Sequence, residues 1–370
     1  MRPFGPTQAQ GHSTHPRIRD RARRSADHRR LHGPLNSPLL PDGAVEELVR
    51  ALRVHARDFP HPSYQPFESF LNSLSSAGVR RQFRFLDYLV GPAPKSRAPL
   101  LDIGSGYGLN IVLLRLLGFE SVGGIEAVPG IASLSRLLID TAGSVLGFDV
   151  GECIVHEADA ECSGLRGESF ECVTAIEMVS HASSFDRLLR EVNRLLTPGG
   201  ELLISDGNNL SCPSCRRLRR RQWSAARADE LRQRVAFISE NFPSVDEQAV
   251  ASFALHTELY SKDMVLAEVS RALCDDHMPM ALYFDGNAPV FFETGQWIER
   301  GFFPAELEAD LRGYGFDACA RAYVGAARGA PFALADRVVN LPPPRLRFLA
   351  RPSFVRRGTK TGDPTYLVGC

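Results

Sequence analysis

Glycine occupies every second position in the segment "DIGSGYG", directly after the short apolar run that begins at Pro99. Gly104, Gly106 and Gly108 are then followed by an apolar stretch with helical spacing. Glycine is favoured where the backbone needs a positive φ or where a ligand must touch the main chain. A glycine turn at the carboxyl end of the first strand of an open α/β sheet is a common place for a nucleotide-like ligand. The segment therefore predicts a ligand-binding loop between a strand and a helix.

Around this loop, short apolar runs alternate with helical runs, which predicts βαβ units and a parallel sheet. The candidate strands are almost continuously apolar, as expected for parallel strands covered on both faces. Candidate strands lie at 99–104, 121–127, 152–158, 170–177 and 200–206, and candidate helices at 108–118, 130–146 and 184–197.

The regions on either side of this alternation predict five parts of the chain. An Arg-rich N-terminal segment has too few apolar residues to order itself. A long helical interruption within an α/β rhythm is typical of a lid or substrate-binding insertion. The predicted parts are a disordered tail (1–42), an N-terminal helical cap (43–96), a core (97–209), a helical lid (210–299) and a C-terminal completion of the core (300–370), with a strand at 317–325 and a last strand near 364–369.

The third glycine decides between two kinds of ligand loop. A dinucleotide-binding loop would place it at position 109, which is Leu109. The pattern here is D-x-G-x-G-x-G from Asp102, and it resembles the first motif of class I S-adenosylmethionine-dependent methyltransferases. The segment "LLREVNRLLTPGGELLISD" (188–206) resembles the helix, Pro-Gly-Gly turn and fifth strand of the same family. The similarity covers about 97–210 well, and it is closest to the small-molecule subset that includes ubiquinone/menaquinone-type enzymes.

The resemblance implies an α/β fold with a doubly wound, mostly parallel seven-stranded sheet, and S-adenosyl-L-methionine as the cofactor. It places Asp102 near the amino end of the cofactor, Glu126 at the ribose hydroxyls and Asp159 at the adenine amino group. Glu157 and Glu161 are neighbours that a shift of register would bring to the place of Asp159. The implied cofactor-binding set is Asp102, Gly104, Ser105, Gly106, Gly108, Glu126, Ala127, Asp159, Ala160 and Glu177.

The acceptor side has weaker signals, each with a structural alternative. His181 is a candidate general base because its ordinary pKa lies near neutrality, although a histidine there is more often structural in this family. Asp206, Asn208 and Asn209 follow the fifth strand and are candidate substrate contacts, but Asp and Asn are also ordinary turn residues. Glu177 either lines the cofactor or is a solvated strand end.

Several residues of the predicted insertion are left without an assigned role. His256 and Tyr260 could orient a hydroxyl acceptor, and nothing in the sequence favours that role over another. "CPSC" (212–215) is interpreted as two incidental thiols in a loop, with a transient redox pair left open. The arginines of 216–221 predict either a solvated helix start or a patch for an anionic substrate, a carrier protein or nucleic acid.

Composition limits the partners. Lys and Arg total 43, as do Asp and Glu, so the formal net charge is zero and no global charge favours nucleic acid. No apolar run approaches the roughly 20 residues of a membrane helix, so we expect no membrane insertion. Eight scattered cysteines in a chain of 370 residues are interpreted as reduced thiols of a cytoplasmic protein. No metal site is expected, and a homodimer is left open.

The resemblance therefore implies a methyltransferase (EC 2.1.1.-) that moves a methyl group to an O, N or C atom of a small-molecule acceptor. The alternatives are an RNA or protein methyltransferase that uses the Arg-rich segments, or a non-catalytic binding protein with the cofactor fold. A dinucleotide oxidoreductase is disfavoured by Leu109.

Overall fold

The structure of the protein is a computed structural model that describes most of the chain between residues 42 and 362. Three predictions fall on residues outside it: the tail 1–41, Asn208 and the strand near 364–369. The described residues are 42–58, 70, 74–91, 99–147, 149–151, 153–207, 209–275, 278–279, 289–290, 292, 300–323, 325, 330–341, 348 and 354–362.

Strands and helices alternate through the centre of the chain, and most predicted bounds are met within a few residues. The strands are β1 (Leu100–Ile103), β2 (Val122–Glu126), β3 (Cys153–Glu157), β4 (Phe170–Ile176), β5 (Leu196–Asp206), β6 (Phe316–Ala322) and β7 (Phe354–Lys360). The helices are α1 (Asp42–Asp58), α2 (Ser76–Val90), α3 (Leu109–Leu116), α4 (Pro129–Leu146), α5 (Phe185–Leu195), α6 (Pro213–Asn241), α7 (Glu247–His256), α8 (Lys262–Asp275), α9 (Pro304–Gly313) and α10 (Ala330–Val339).

These strands form one mixed sheet in the order β3-β2-β1-β4-β5-β7-β6, which confirms the Rossmann-like α/β fold. Strands β1 to β5 pair in parallel, whereas β7 runs antiparallel to both β5 and β6. The order of the strands reverses at β1, because β2 lies on one side of it and β4 on the other. Ligands bind at such a switch point, beyond the carboxyl ends of the strands.

The last strand of the described chain is β7, ten residues before the predicted one. Its sequence "FVRRGTK" has only two apolar residues, so its pattern does not stand out as a strand. Lys360 is buried, and its ammonium group donates to the carbonyl of Leu196 over 2.9 Å. The long aliphatic stem of a lysine packs like an apolar side chain, which explains how a basic residue occupies this position.

The core is divided by the sheet into two buried clusters. One contains Leu100 of β1 with apolar residues of α1 to α4, and the other contains Leu101 with residues of α5 and α9. Neighbouring residues of a strand point to opposite faces, so helices cover the sheet on both sides. Leu48 of α1 and Leu86 of α2, in the predicted N-terminal cap, belong to the first of these clusters.

The predicted insertion folds around a smaller cluster of its own, built from α6, α7 and α8. Tyr260 is buried in this cluster, and Arg234 lies fully buried beside it. The guanidinium of Arg234 donates to the carbonyl of Thr257 over 2.5 Å and lies 4.4 Å above the ring of Phe292. Burial lowers the pKa of Arg234 to about 10. The insertion is therefore a packed helical unit and not an irregular loop.

The two thiols of "CPSC" sit at the start of a helix, and not in the loop that the sequence predicted. Cys212 is buried directly before α6, and Cys215 lies in its first turn. Both are free thiols. Among the described residues, no helix combines the length and apolarity that are needed to cross a lipid bilayer.

Replacing Leu86 by alanine tests whether α2 belongs to the main core. Leu86 is 0% exposed, so Leu86→Ala should lower the free energy of unfolding by about 2–5 kcal/mol. Val54→Ala, on the 55% exposed side chain of α1, is the control and should change it by less than about 0.5 kcal/mol. Urea unfolding measures both, and a cost below about 1 kcal/mol for Leu86→Ala would contradict the packing.

Candidate functional site

Asp102 lies in the centre of the sheet, on the strand flanked by β2 and β4. It is 1% exposed, and its Oδ1 accepts a hydrogen bond from the hydroxyl of Thr174 over 2.6 Å. Its Oδ2 has no hydrogen-bond partner among the described residues. Burial raises the pKa of Asp102 to about 7, and the nearby Glu126 adds to the rise, while Thr174 and Asn110 oppose it. A carboxyl group with this pKa can change charge near neutral pH.

The three glycines of the loop all have positive φ, but they face different surroundings. A Cβ on Gly104 would lie 2.7 Å from Cβ of Met178, and one on Gly108 would lie 2.3 Å from Oγ of Ser135. Gly106 has φ +54, and no atom of the described residues lies within 4 Å of the position of a Cβ. Packing within the protein therefore requires Gly104 and Gly108, whereas at Gly106 no part of the chain that the structure describes fills the place of a side chain.

Glu126, at the end of β2, is joined directly to the glycine loop. Its Oε2 accepts a hydrogen bond from the N–H of Gly106 and its Oε1 accepts one from the N–H of Val128, each over 3.0 Å. The side chain is 8% exposed, and burial raises its pKa while the main-chain donors oppose the rise. The N–H of Ser105 donates to the carbonyl of Ile125 over 2.9 Å, which holds loop and strand end together.

Beyond β3, the structure separates the roles of the neighbouring acids. Glu161 is buried, accepts from the N–H of Ser184 over 2.8 Å and pairs with Arg187. It therefore anchors the start of α5. Asp159 is exposed, and its Oδ1 accepts from the N–H of Glu161 over 2.9 Å. Ala160 is buried beside it. The carbonyl of Glu126 accepts from the N–H of Ala158 over 3.2 Å, so this segment begins next to the end of β2.

The end of β4 carries a conformation that is unusual for a residue with a side chain. Glu177 has φ +52, a region in which a residue other than glycine is strained by roughly 1–2 kcal/mol. Its N–H donates to the carbonyl of Ser205, and its Oε2 accepts from the N–H of Gly207 over 3.1 Å. The strained turn directs the chain so that Met178 packs against Gly104. Strain of this kind is concentrated at functional sites.

His181 lies in a short 3-10 turn, Val179–His181, that follows β4. It is half-buried, and its N–H donates to the carbonyl of Met178 over 2.9 Å. The neighbouring Ser180 accepts from the N–H of Arg300 over 2.8 Å. Arg300 is half-buried, and burial lowers its pKa. Nothing in the sequence distinguishes Arg300, because it is a single arginine in an Arg-rich chain.

Two of the candidate substrate contacts after β5, Asp206 and Asn209, have different surroundings. Asp206 is buried at the carboxyl end of β5. Asn209 is also 0% exposed, and its amide donates to the carbonyl of Phe348 over 2.8 Å and accepts from the N–H of Ser211. These bonds give the side chain of Asn209 a structural role, and its part in substrate binding stays a prediction. The N–H of Leu210 donates to the carbonyl of Phe302, which closes the two ends of the insertion beside the site.

The glycine loop is covered from the N-terminal side by aromatic packing that the sequence analysis did not anticipate. The ring of Tyr107, within the glycine motif, lies 4.6 Å from that of Phe70. Gln82 of α2 donates to the side chain of Asn110 at the start of α3 over 2.9 Å. The sequence indicated this packing only by an aromatic residue, Tyr107, at one of the variable positions of the glycine motif. Across the described ranges, no group of three or more His, Cys, Asp or Glu side chains could hold a metal ion.

Comparison with known proteins agrees with this geometry. The family model described as a methyltransferase domain matches residues 101–204. The chain is 32% identical over 123 residues to a ubiquinone biosynthesis O-methyltransferase of Xanthomonas oryzae pv. oryzae, covering 33% of this chain and 48% of that protein. It is 29% identical over 164 residues to the methyltransferase GfsG of Streptomyces halstedii, covering 44% of this chain and 54% of that protein. The chain thus spans about half the length of these curated relatives.

Among solved structures, the YcgJ protein of Bacillus subtilis aligns with 76% of this chain and 98% of its own, with 13% identity and a TM-score of 0.38. Because this structural similarity is low, we assign the fold from the strand order of this chain.

Two alanine substitutions in the loop compare the cost in stability of a Cβ at a packed position and at an unfilled one. Gly108→Ala should lower the free energy of unfolding by several kcal/mol, because its Cβ would collide with Ser135 and Ile139 at a positive φ. Gly106→Ala should lower it by about 1–2 kcal/mol only, from the left-handed backbone alone. Chemical unfolding compares the two variants, and equal losses would contradict the difference in surroundings.

Asp102 should make stability depend on pH in an unusual direction. Its pKa is about 7 in the folded protein against 3.8 as the ordinary value, so the folded state holds a proton that the unfolded chain has lost. The free energy of unfolding therefore falls as pH rises from about 4 to about 7. Between pH 5 and pH 8, Asp102→Asn should remove roughly 2.5 kcal/mol of this fall, at about 1.4 kcal/mol per pH unit.

Urea unfolding of both proteins at four pH values measures this difference. Asp140→Asn, on the exposed face of α4, is the matched control and should keep the profile of the unmodified chain. Parallel profiles for Asp102→Asn and the unmodified chain would show that Asp102 titrates in its ordinary range.

Proposed function

We propose that this chain, whose residues 101–204 match the family model of a methyltransferase domain, is a class I S-adenosylmethionine-dependent methyltransferase that transfers a methyl group to an O, N or C atom of a small-molecule acceptor. The observation that carries the proposal is the open face of Gly106 at the carboxyl end of β1, joined by a hydrogen bond to Glu126. This edge of the sheet is where α/β folds of this kind bind nucleotide-like ligands.

The residues around the loop fit S-adenosylmethionine. Gly106 leaves room for a ligand to touch the main chain, and Oγ of Ser105 is buried without a hydrogen-bond partner among the described residues. Oδ2 of Asp102 is likewise without a partner there. A cationic amino group is the kind of ligand that a buried carboxylate favours, because an opposite charge offsets the cost of burial. These polar atoms therefore suit a ligand with an amino acid end and a polar sugar.

In this proposal the carboxylates divide the work of holding the cofactor. Glu126 accepts hydrogen bonds from the ribose hydroxyls, and Asp159 accepts one from the adenine amino group. Asp102 is deprotonated when it faces the amino end, so binding should strengthen as pH rises through about 7. Ala127, Ala160 and the strained Glu177 shape the walls of the same pocket.

The chemistry requires little from the protein beyond position. The sulfonium of S-adenosylmethionine supplies an activated methyl group, so transfer is an in-line displacement. The chain must hold the acceptor atom in line with the methyl carbon, and such orientation can contribute several kcal/mol. His181, on the 3-10 turn beside the site, is the candidate to remove a proton from an acceptor that still carries one. Asp206 and the segment closed by Leu210 and Phe302 border the acceptor side.

The cellular setting is also a proposal. Free thiols at seven described cysteines suit a reducing compartment such as the cytoplasm. An RNA or protein acceptor is the alternative, which would use the Arg-rich segments at the N-terminus and at the start of α6. The neutral formal charge of the whole chain favours the small-molecule acceptor.

Calorimetric titration with S-adenosylmethionine and NAD in parallel tests the cofactor. We expect S-adenosylmethionine to bind and NAD not to bind. Glu126→Gln should weaken binding by about 10- to 100-fold, the effect of losing hydrogen bonds to a charged group. Glu240→Gln, an exposed acid of α6, is the control and should bind as the unmodified chain does. Binding of NAD alone would overturn the proposal.

A methylation assay with labelled cofactor and a small-molecule metabolite extract then tests the transfer itself. We expect label to enter a compound of low molecular mass, and His181→Asn to lower the rate while leaving the affinity for the cofactor unchanged. Label found only in RNA or protein would replace the small-molecule acceptor with a macromolecular one.

A further inference from the structure

The first turns of α6 present a band of positive charge. We call Arg216, Arg217, Arg220 and Arg221 the arginine stripe. Arg216 is half-buried and the other three are exposed. Helix α6 begins at Pro213, seven residues after β5 ends at Asp206. The stripe is thus connected by a short segment to the edge of the sheet at which the acceptor is proposed to bind.

The stripe has no carboxylate partner in the described part of the chain. No Asp or Glu occurs in the sequence between Asp206 and Asp229. Elsewhere the arginines commonly pair with acids, as Arg187 does with Glu161 and Arg312 with Glu308. An arginine-rich composition explains how many arginines the chain has, but it does not explain why four of them share a helix face without acids.

This arrangement costs free energy in the absence of an anion. Arg216 and Arg220 are like charges four residues apart on a helix, as are Arg217 and Arg221, and each such pair is destabilising by about 0.2–0.5 kcal/mol. Basic residues in the first turns also meet the positive end of the helix dipole. A bound anion would turn both effects from unfavourable to favourable.

The stripe also lines a space that could hold such an anion. An open groove of about 790 Å³ runs along α6 from Pro213 to Ala228 and is lined by the four arginines with Ser224 and Ala225. All of its described lining residues belong to α6, so it is an open surface groove along one helix, with room for a phosphate or diphosphate group. The guanidinium group binds phosphate oxygens in a bidentate manner, and several arginines together suit a group with more than one negative charge.

The same residues are less suited to nucleic acid. Proteins that bind single strands combine basic residues with aromatic side chains on which bases stack. Trp223 is the one aromatic residue between 213 and 228, and it is buried against Leu210 and Val290. The stripe therefore offers charge without a stacking surface.

We propose that the arginine stripe binds a phosphate or diphosphate group carried by the methyl acceptor, so that the substrate class is a phosphorylated small molecule. This inference rests on the proposed methyl transfer for its meaning, but the anion site itself does not depend on it. The group binds at the start of α6, and the remainder of the acceptor extends towards the end of β5.

Calorimetric titration of the full chain with inorganic pyrophosphate tests the anion site. We expect binding that weakens as salt concentration rises, and Arg217→Gln/Arg221→Gln should weaken it at least tenfold. The double variant Arg50→Gln/Arg53→Gln removes the same charge from the exposed face of α1 and is the control. Glutamine keeps the helix propensity of both segments, and thermal unfolding should show that both variants remain folded.

Three results would overturn the proposal: no pyrophosphate binding by the unmodified chain at millimolar concentration, equal weakening in both double variants, or tighter binding of a single-stranded RNA oligonucleotide that depends on the stripe. Titration with S-adenosylmethionine separates this test from the proposed function. A chain that binds pyrophosphate through the stripe but does not bind S-adenosylmethionine keeps the anion site and loses the methyltransferase assignment.

Discussion

The hydrogen bond from the N–H of Gly106 to the carboxylate of Glu126 is the contact on which the candidate site depends. It joins the loop after β1 to the end of β2 over 3.0 Å, across two strands that the sheet already holds in register. The loop is fixed on its other sides by Met178 and Ser135, which leave no room for a side chain at Gly104 or Gly108. The glycines adopt positive φ values without a steric penalty, and among the described residues none fills the place of a side chain at Gly106.

Two carboxylates at this place carry a cost that a ligand can offset. Asp102 is fully buried and Glu126 nearly so, and burial raises the pKa of each. The charged forms are therefore less stable in the folded protein than in water, apart from the hydrogen bonds that they accept. A ligand with a positive charge and sugar hydroxyls would supply the missing interactions. The buried carboxylates thus lower the stability of the folded protein and at the same time favour binding of such a ligand. This trade-off is common at functional sites.

Much of the fold and of the cofactor side could be predicted from the sequence, because both depend on local patterns. Continuous apolar runs identify β1 to β5, and the glycine spacing identifies the loop. The pairing of Glu161 with Arg187 could not be read from "HEADAE", since it depends on where α5 begins relative to β3. The structural role of Asn209 was equally hidden, because its partner Phe348 lies 139 residues away in the chain. Strand β7 was missed because its lysine packs by its aliphatic stem.

The packing of the insertion suggests how one scaffold can hold a fixed cofactor and still select an acceptor. The cofactor loop belongs to the main sheet, whose clusters also contain α1 to α5. Helices α6 to α8 pack instead around their own cluster, beside the buried Arg234, and the insertion is closed by the contact between Leu210 and Phe302. Substitutions of the exposed arginines of α6 therefore change the surface charge of the insertion without disturbing either core. In the proposed function, changes confined to α6 would alter the acceptor side, while Gly106 and Glu126 would keep the cofactor side unaltered.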